Sequence, residues 1–317
     1  MAAANMKAVK LRIKSVQSTM QITRAMQLVA ASKLTKAKQK ADSSKPYFET
    51  LHDTLTGIAR ENNDFQSPYT KAGANDKWLY IVIAGDRGLA GGYNANIFKF
   101  MEGETAGRDV TVLPIGKKSV EHFAQRRIPI LTDAFAEVAS IGVSDCFEIA
   151  RMICEAYARG EYGHVSMCFT NFISMMTQTP VVTSMLPLSD FTDPEGNKQM
   201  ETGEGGSSGK KTAAQAPESS EEAMTVAEAG KARDLILYEP DSETVFNAIV
   251  PDYLAGLLYS SISISVASEL AARRMAMEAA TDNAEEMIET LTLYYNRARQ
   301  ASITQEITEI VAGAEGS

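Results

Sequence analysis

Residues 269–311 read ELAARRMAMEAATDNAEEMIETLTLYYNRARQASITQEITEIV, and their spacing decides the architecture. Met277, Thr281, Ala284, Ile288, Leu291, Tyr295, Ala298 and Ser302 recur at intervals of 4, 3, 4, 3, 4, 3 and 4, the period of a coiled-coil seam. No Pro or Gly interrupts the chain from Leu257 to Ala312. The opposite end behaves alike: none occurs from Asn5 to Ala41, and Val9, Ile13, Val16 and Met20 step by 4, 3 and 4, with Ala30, Leu34, Ala37 and Ala41 continuing. Helices of ~40 and ~55 residues would run ~60 and ~80 Å, where an average globular helix has only ~12 residues. Their charges oppose. Lys7, Lys10, Arg12, Lys14, Arg24, Lys33, Lys36, Lys38, Lys40 and Lys45 face only Asp42 in the first, whereas carboxylates from Glu269 to Glu315 outnumber arginines in the last. This pattern predicts an antiparallel pair, with charge complementarity bringing the ends together.

The seam is weak for a zipper, because Thr, Ala and Ser occupy positions where Leu would bury more surface. A second apolar ridge lies off it: Ile22, Met26 and Val29 on the first helix, Ile303, Ile307 and Ile310 on the last. No third segment is long enough to cover that ridge along its whole length.

Between the helices the period changes. Trp78 to Ala84 reads as a buried strand, followed by a Gly-rich turn and a helix over Tyr93 to Met101. Val110 to Ile115 is a second strand leading to a helix over Lys118 to Gln125. Ile128 to Leu131 is a short apolar segment and Val143 to Arg159 a helix. Val165 to Ile173, Val181 to Leu188 and Leu235 to Tyr238 complete the strands. Alternation of strands and helices predicts a Rossmann-like α/β unit with a partly parallel sheet. The predicted division is a helix over 1–60, the α/β unit over 76–250 and a second helix over 251–317. Residues 190–231 are rich in Gly, Ser and Glu and read as a flexible insertion.

Composition removes several function classes. At 317 residues the chain has room for a sizeable core, and a net charge of −9 argues against nucleic-acid binding. The basic first helix lacks the dense Arg and Asn clustering of a DNA-tracking helix, and its own chain supplies an acidic partner. The longest uninterrupted apolar run, Leu79 to Ala84, falls short of the ~18 residues of a membrane span. Cys146, Cys154 and Cys168 show no metal or disulfide spacing and read as buried thiols. His52, His122 and His164 stand far apart, so neither a catalytic nor a metal-ligating set is evident.

One local motif invites a ligand. Gly85-Asp86-Arg87-Gly88-Leu89-Ala90-Gly91-Gly92-Tyr93-Asn94 follows a strand and opens a helix, where a phosphate can be cradled. Its spacing is not the G-x-G-x-x-G of a dinucleotide fold. Gly116-Lys117-Lys118-Ser119 likewise lacks the spacing of a P-loop. A Rossmann-like nucleotide-binding enzyme with helical arms remains the alternative reading. The simpler one is a tight turn closing helix against sheet, with no cofactor.

The residues also carry a resemblance. The segment Leu11 to Leu34, LRIKSVQSTMQITRAMQLVAASKL, closely resembles the N-terminal helix of the gamma-subunit family of F-type ATP synthases. The turn GDRGLAGGYN and the segments Ser268 to Arg273, Ala276 to Ala284 and Asn296 to Val311 are similar to that family's globular turn and C-terminal helix, in the same order. The resemblance implies a non-catalytic rotor shaft inside a ring of alpha and beta subunits, three of each. It implies that the α/β unit is a foot on the epsilon subunit and the membrane c-ring. The complex would couple proton-driven rotation to ATP synthesis or hydrolysis on its partners, peripheral to the cell inner membrane on the cytoplasmic side. Position by position, it implies that Met26, Arg273, Arg299, Gln300, Thr304, Glu306, Ile307 and Ile310 meet the ring, with Ile303 and Val311 in its upper bearing. Tyr238 and Glu239 would face the membrane ring and epsilon. Arg274 departs from the apolar residue common in the family, and the 190–231 insertion carries no cysteine, which excludes a thiol switch there.

Overall fold

In a computed structural model, the chain is described over residues 2–61, 67–71, 73, 75–188 and 238–315. The expected insertion and Leu235 to Leu237 of the expected last strand lie outside the described residues, and Tyr238 itself is not in a strand.

Two long helices dominate: α1 over Ala2–Glu61 and, at the other end, α5 over Ser242–Glu315, with 60 and 74 residues. Both exceed the lengths expected from the Pro- and Gly-free runs, reaching ~90 and ~110 Å. Pro46 lies inside α1 and Pro251 inside α5. An interior Pro costs about 3 kcal/mol. Around Pro251, however, Phe246, Val250, Leu254 and Leu258 are all fully buried, and burying each such side chain contributes about 1.5–3 kcal/mol. Burial therefore outweighs the break. Leu55 and Ile58, equally buried, extend α1 past Pro46 and Gly57 in the same way. Asp241 starts α5, its two carboxylate oxygens accepting from the backbone N–H and the hydroxyl of Thr244, both at 2.7 Å.

The strands are β1 (Trp78–Ile83), β2 (Val110–Ile115), β3 (His164–Phe172) and β4 (Gln178–Leu186), in the order β2-β1-β3-β4. β1 pairs parallel to both β2 and β3, and β4 runs antiparallel to β3. The partly parallel sheet is as the alternating pattern predicts. Alternation along β1 serves two cores. Leu79, Ile81 and Ile83 face α4 (Val143–Ala158), α5 and the end of α1, while Tyr80 and Val82 face α2 (Tyr93–Glu104) and α3 (Lys117–Gln125). Cys146, Cys154 and Cys168 are free and buried, and burial pushes each thiol up to about 12.

The lower part of α5 is a core helix. It holds an 18-residue window of mean hydropathy 1.4, long and apolar enough to cross a membrane, but 61% of that window is buried inside the protein. Counting uninterrupted apolar runs missed it because Ser261, Ser263, Ser265 and Ser268 punctuate the segment, all buried. Beyond this, α1 and α5 pair as a rod. Val9, Ala30 and Leu34 on α1 and Met277, Thr281, Ala284 and Ser302 on α5 are buried along the seam expected from the period, with Thr23 added to it and Leu34 packed on Ala267, Leu270 and Ala271. The charges behave otherwise than expected. Among the described residues no Lys or Arg between Lys7 and Lys40 pairs with a carboxylate of α5. The seam's polar link is a 2.8 Å hydrogen bond between Thr23 and Thr281 hydroxyls, and Lys38 and Lys40 lie over the rings of Phe172 and Tyr259. Long charged side chains on a rod surface reach water, where a pair is worth only about 0–1 kcal/mol.

Gly116 ends β2 at φ +99°, and a Cβ there would stand 2.2 Å from the Ala84 carbonyl oxygen. Gly116→Ala should destabilise the chain by more than about 2 kcal/mol, read as a lowered urea midpoint. An unchanged midpoint would contradict this packing.

Candidate functional site

The motif Gly85 to Asn94 folds into a turn pressed against α5. Asn94 Oδ1 accepts from the Gly85 N–H at 2.9 Å, and its amide donates to the Arg87 carbonyl at 3.3 Å. Asp86 accepts from the backbone N–H groups of Lys117, Val138 and Ala139 at 3.3, 3.0 and 3.2 Å. These bonds tie the turn to the start of α3 and to the short 3₁₀ turn Val138–Ser140. From α5, Arg273 Nη2 reaches both Glu269 Oε1, at 2.5 Å, and the Gly88 carbonyl, at 3.3 Å. The pair is largely enclosed, with side chains 15% and 11% exposed. Glu269 lies close against Gly85: a Cβ at 85 would be 2.8 Å from Glu269 Oε1 and 3.1 Å from Asn94 Oδ1, so side chains around it would have to shift.

This geometry does not suit a phosphate. The Asp86 carboxylate takes the backbone donors beside the turn, and the Glu269 carboxylate lies against it, so negative charge stands where an anion would bind. The second glycine motif is also committed. Lys117 and Lys118 pair with Glu137 and Glu121, and the Ser119 hydroxyl donates to the Val82 carbonyl at 3.0 Å. A cavity of about 260 Å³ lies between Gly91, Gly92, Thr170, Gln178, Ala272 and Ala276, and no charged side chain lines it. Among the described residues no cluster of His, Cys, Asp and Glu could hold a metal ion. His122 stacks on Phe98 and His164 on Trp78.

The residues singled out from sequence fall into three groups. Met26 is half-buried on α1, on the side where Ile22 and Val29 are exposed. Arg299, Gln300, Thr304 and Glu306 are exposed near the end of α5, with Ile303 and Val311 beside Ile307 (56% exposed) and Ile310 (71%). Tyr238, packed on the core, and exposed Glu239 precede α5, roughly 100 Å of helix from that tip. Arg273 belongs with none of these, since its guanidinium is held inside the joint. Asp86, Asn94 and Glu269 were not singled out as site residues. The one signal for Glu269 was an acidic residue four positions before Arg273 within a small-residue run.

The family model described as ATP synthase matches residues 5–316. An ATP synthase gamma chain of Ruminococcus albus is 42% identical over 313 residues, 97% of this chain and 96% of that one. The chain belongs to the ATP synthase gamma-chain family. A sodium-ion-specific gamma chain of Acetobacterium woodii is 37% identical over 314 residues, 99% of each. A chain in a solved mitochondrial ATP synthase assembly of Euglena gracilis shares the fold, with a TM-score of 0.60 at 17% identity over 99% of this chain and 95% of that one. A gamma chain is a subunit of an ATP synthase, and these similarities favour that reading over a nucleotide-binding enzyme with helical arms.

Burial raises the Glu269 pKa above the usual glutamate range, with Arg273 pulling it back down, Asp86 adding to the rise and Arg87 opposing it. A carboxyl with a raised folded pKa contributes stability that is full below its unfolded value, ~4.3, and is lost as pH rises through the folded value. The stability of the native chain relative to Glu269→Gln should therefore decline as pH is raised from ~4 through that window. Urea titrations at stepped pH check this, and a difference that grows with pH would contradict it.

Proposed function

We propose that the α1–α5 pair is the central shaft of a rotary ATP synthase, and that this chain performs no chemistry itself. The observation that carries the reading is the apolar ridge left uncovered on a rod that extends far beyond its own core. Isolated apolar surface residues need no explanation, but a row of them along a two-helix rod fits a surface completed by partners. Those partners are the alpha and beta subunits, three of each, around the rod, with the epsilon subunit and c-ring at the foot. In support, Euglena and Tetrahymena chains of this fold come from solved structures described as rotor and as central stalk with c-ring.

The mechanism follows from asymmetry. Two helices of different length and surface present different faces to equivalent ring sites, so each site meets different contacts and its conformational equilibrium is biased differently. Turning the shaft by a third passes those biases round the ring. Met26 on α1 and Arg299, Gln300, Thr304, Glu306, Ile307 and Ile310 on α5 form the ring-facing surface. Arg273 sets the base of that surface, and Tyr238 and Glu239 face the foot's partners. The division 1–60, 76–250 and 251–317 separates shaft from foot in sequence, while α5 stays packed in the foot's core past Val250, through Ile262, before emerging as shaft. The subunit sits peripherally, on the cytoplasmic side of the inner membrane.

The test separates folding from coupling. Ile307→Asp/Ile310→Asp alters exposed positions, so the isolated chain should unfold within about 0.5 kcal/mol of the native one. The complex reconstituted with alpha, beta and membrane subunits should lose ATP-driven ion pumping several-fold. Undiminished pumping would count against a ring contact at this tip.

A further inference from the structure

Contacts between α5 and the α/β unit change kind along the helix. From Phe246 to Leu258 they are apolar burial against α4, the sheet and the end of α1. Such burial resists both separation and rotation, since turning the helix would expose side chains that are fully enclosed, but it ends where the core ends. Over Ser265 to Arg273, where α5 leaves the unit, they become directional. The Tyr93 hydroxyl meets Ser265 Oγ at 2.7 Å and its carbonyl at 3.1 Å, and Ser268 Oγ donates to the Thr170 carbonyl at 3.0 Å. Arg273 then bridges Glu269 and the Gly88 carbonyl. Hydrogen bonds weaken steeply with angle, so this set adds a directional lock on the rotational setting of α5 at the point where the apolar core gives out.

We propose that Glu269 is the positioning residue of a torque joint: its carboxylate, seated between Gly85 and Arg273, holds the guanidinium on the Gly88 carbonyl and so locks the angle of α5 relative to the α/β unit. The inference rests on the rotor reading above and adds to it the place where foot and shaft are keyed together. Three features fit this role. The carboxylate lies in the space a Cβ at position 85 would crowd, 2.8 Å from its Oε1. Gly85 itself is held by Asn94, whose Oδ1 accepts from its N–H, and the next residue, Asp86, is bonded into the α3 side of the unit, so a load on Arg273 passes into the sheet layer. The pair is also enclosed, where an ionic hydrogen bond is stronger and less screened than on a surface.

Hydrogen exchange on the full chain reads the joint directly. The Gly85 N–H, bonded to Asn94, and the Lys118 N–H, bonded to the Gly85 carbonyl at 3.1 Å, report on the turn. In Glu269→Gln they should exchange about ten-fold faster or more, while amides in the middle of β1 and β3 keep their protection. Arg273→Lys keeps the charge but loses the planar fork, and should speed the same two amides, so the test stands if Glu269→Gln fails to fold. Glu269→Gln/Arg273→Gln should be no faster at these amides than the single variants, because both act through one bond. In complexes reconstituted with alpha and beta subunits, a bead on the foot should show wider angular fluctuation in Glu269→Gln than in the native chain. Unchanged turn exchange, or unchanged fluctuation in a complex whose native form rotates, overturns the joint and leaves the rotor reading standing. A native complex whose bead does not turn under ATP overturns the rotor reading, and the joint with it.

Discussion

Burial of the first part of α5 against the sheet, α4 and the end of α1 is the interaction on which the rest of the molecule depends. Phe246, Val250, Leu254 and Leu258 are fully enclosed there, and their burial carries the helix through Pro251. A helix pair with a seam of Thr, Ala and Ser buries too little to stand alone at such length. Anchored at one end in a real core, the pair extends as a rod whose outer surface need not be satisfied internally. The same helix is thus a core element at its start and a working surface at its end.

That division explains the polar character of the seam. Thr23 and Thr281 meet across it through one hydrogen bond, and Ala30, Ala284 and Ser302 bring the helices close without filling much volume. Larger seam residues would stiffen the pair further but also thicken it, and a thin rod is what a surrounding ring can accommodate. The Glu269–Arg273 joint stands where the thick, cored part meets the thin part. Directional bonds there carry angular rigidity from the apolar core below into the sparse seam above.

Much of this was legible in the sequence. The 4,3 spacing of Met277 to Ser302 gave the rod, and the alternation of strands and helices from Trp78 to Leu188 gave the partly parallel sheet, because periodicity reports directly which face is buried. The start of α5 at Ser242 was not legible, since Pro251 stops helices by a local rule that tertiary burial overrode. The charge asymmetry was legible but its consequence was not: opposite charges on the helices reach solvent rather than each other. The joint was hidden for a different reason. Gly85, Asp86 and Asn94 lie some 180 positions before Glu269 and Arg273, and no spacing rule connects residues so far apart. The glycine motif advertised a tight turn, while the carboxylate that lies against Gly85 comes from the other end of the chain.

The claim most in need of direct measurement is that the α1–α5 pair turns as a shaft within its partners. The chain reconstituted with alpha and beta subunits, the ring fixed to a surface and a bead attached to the foot, tests it under a microscope. The account predicts that the bead rotates in one direction in steps of a third of a turn when ATP is added. A complex that hydrolyses ATP while the bead stays still would contradict it.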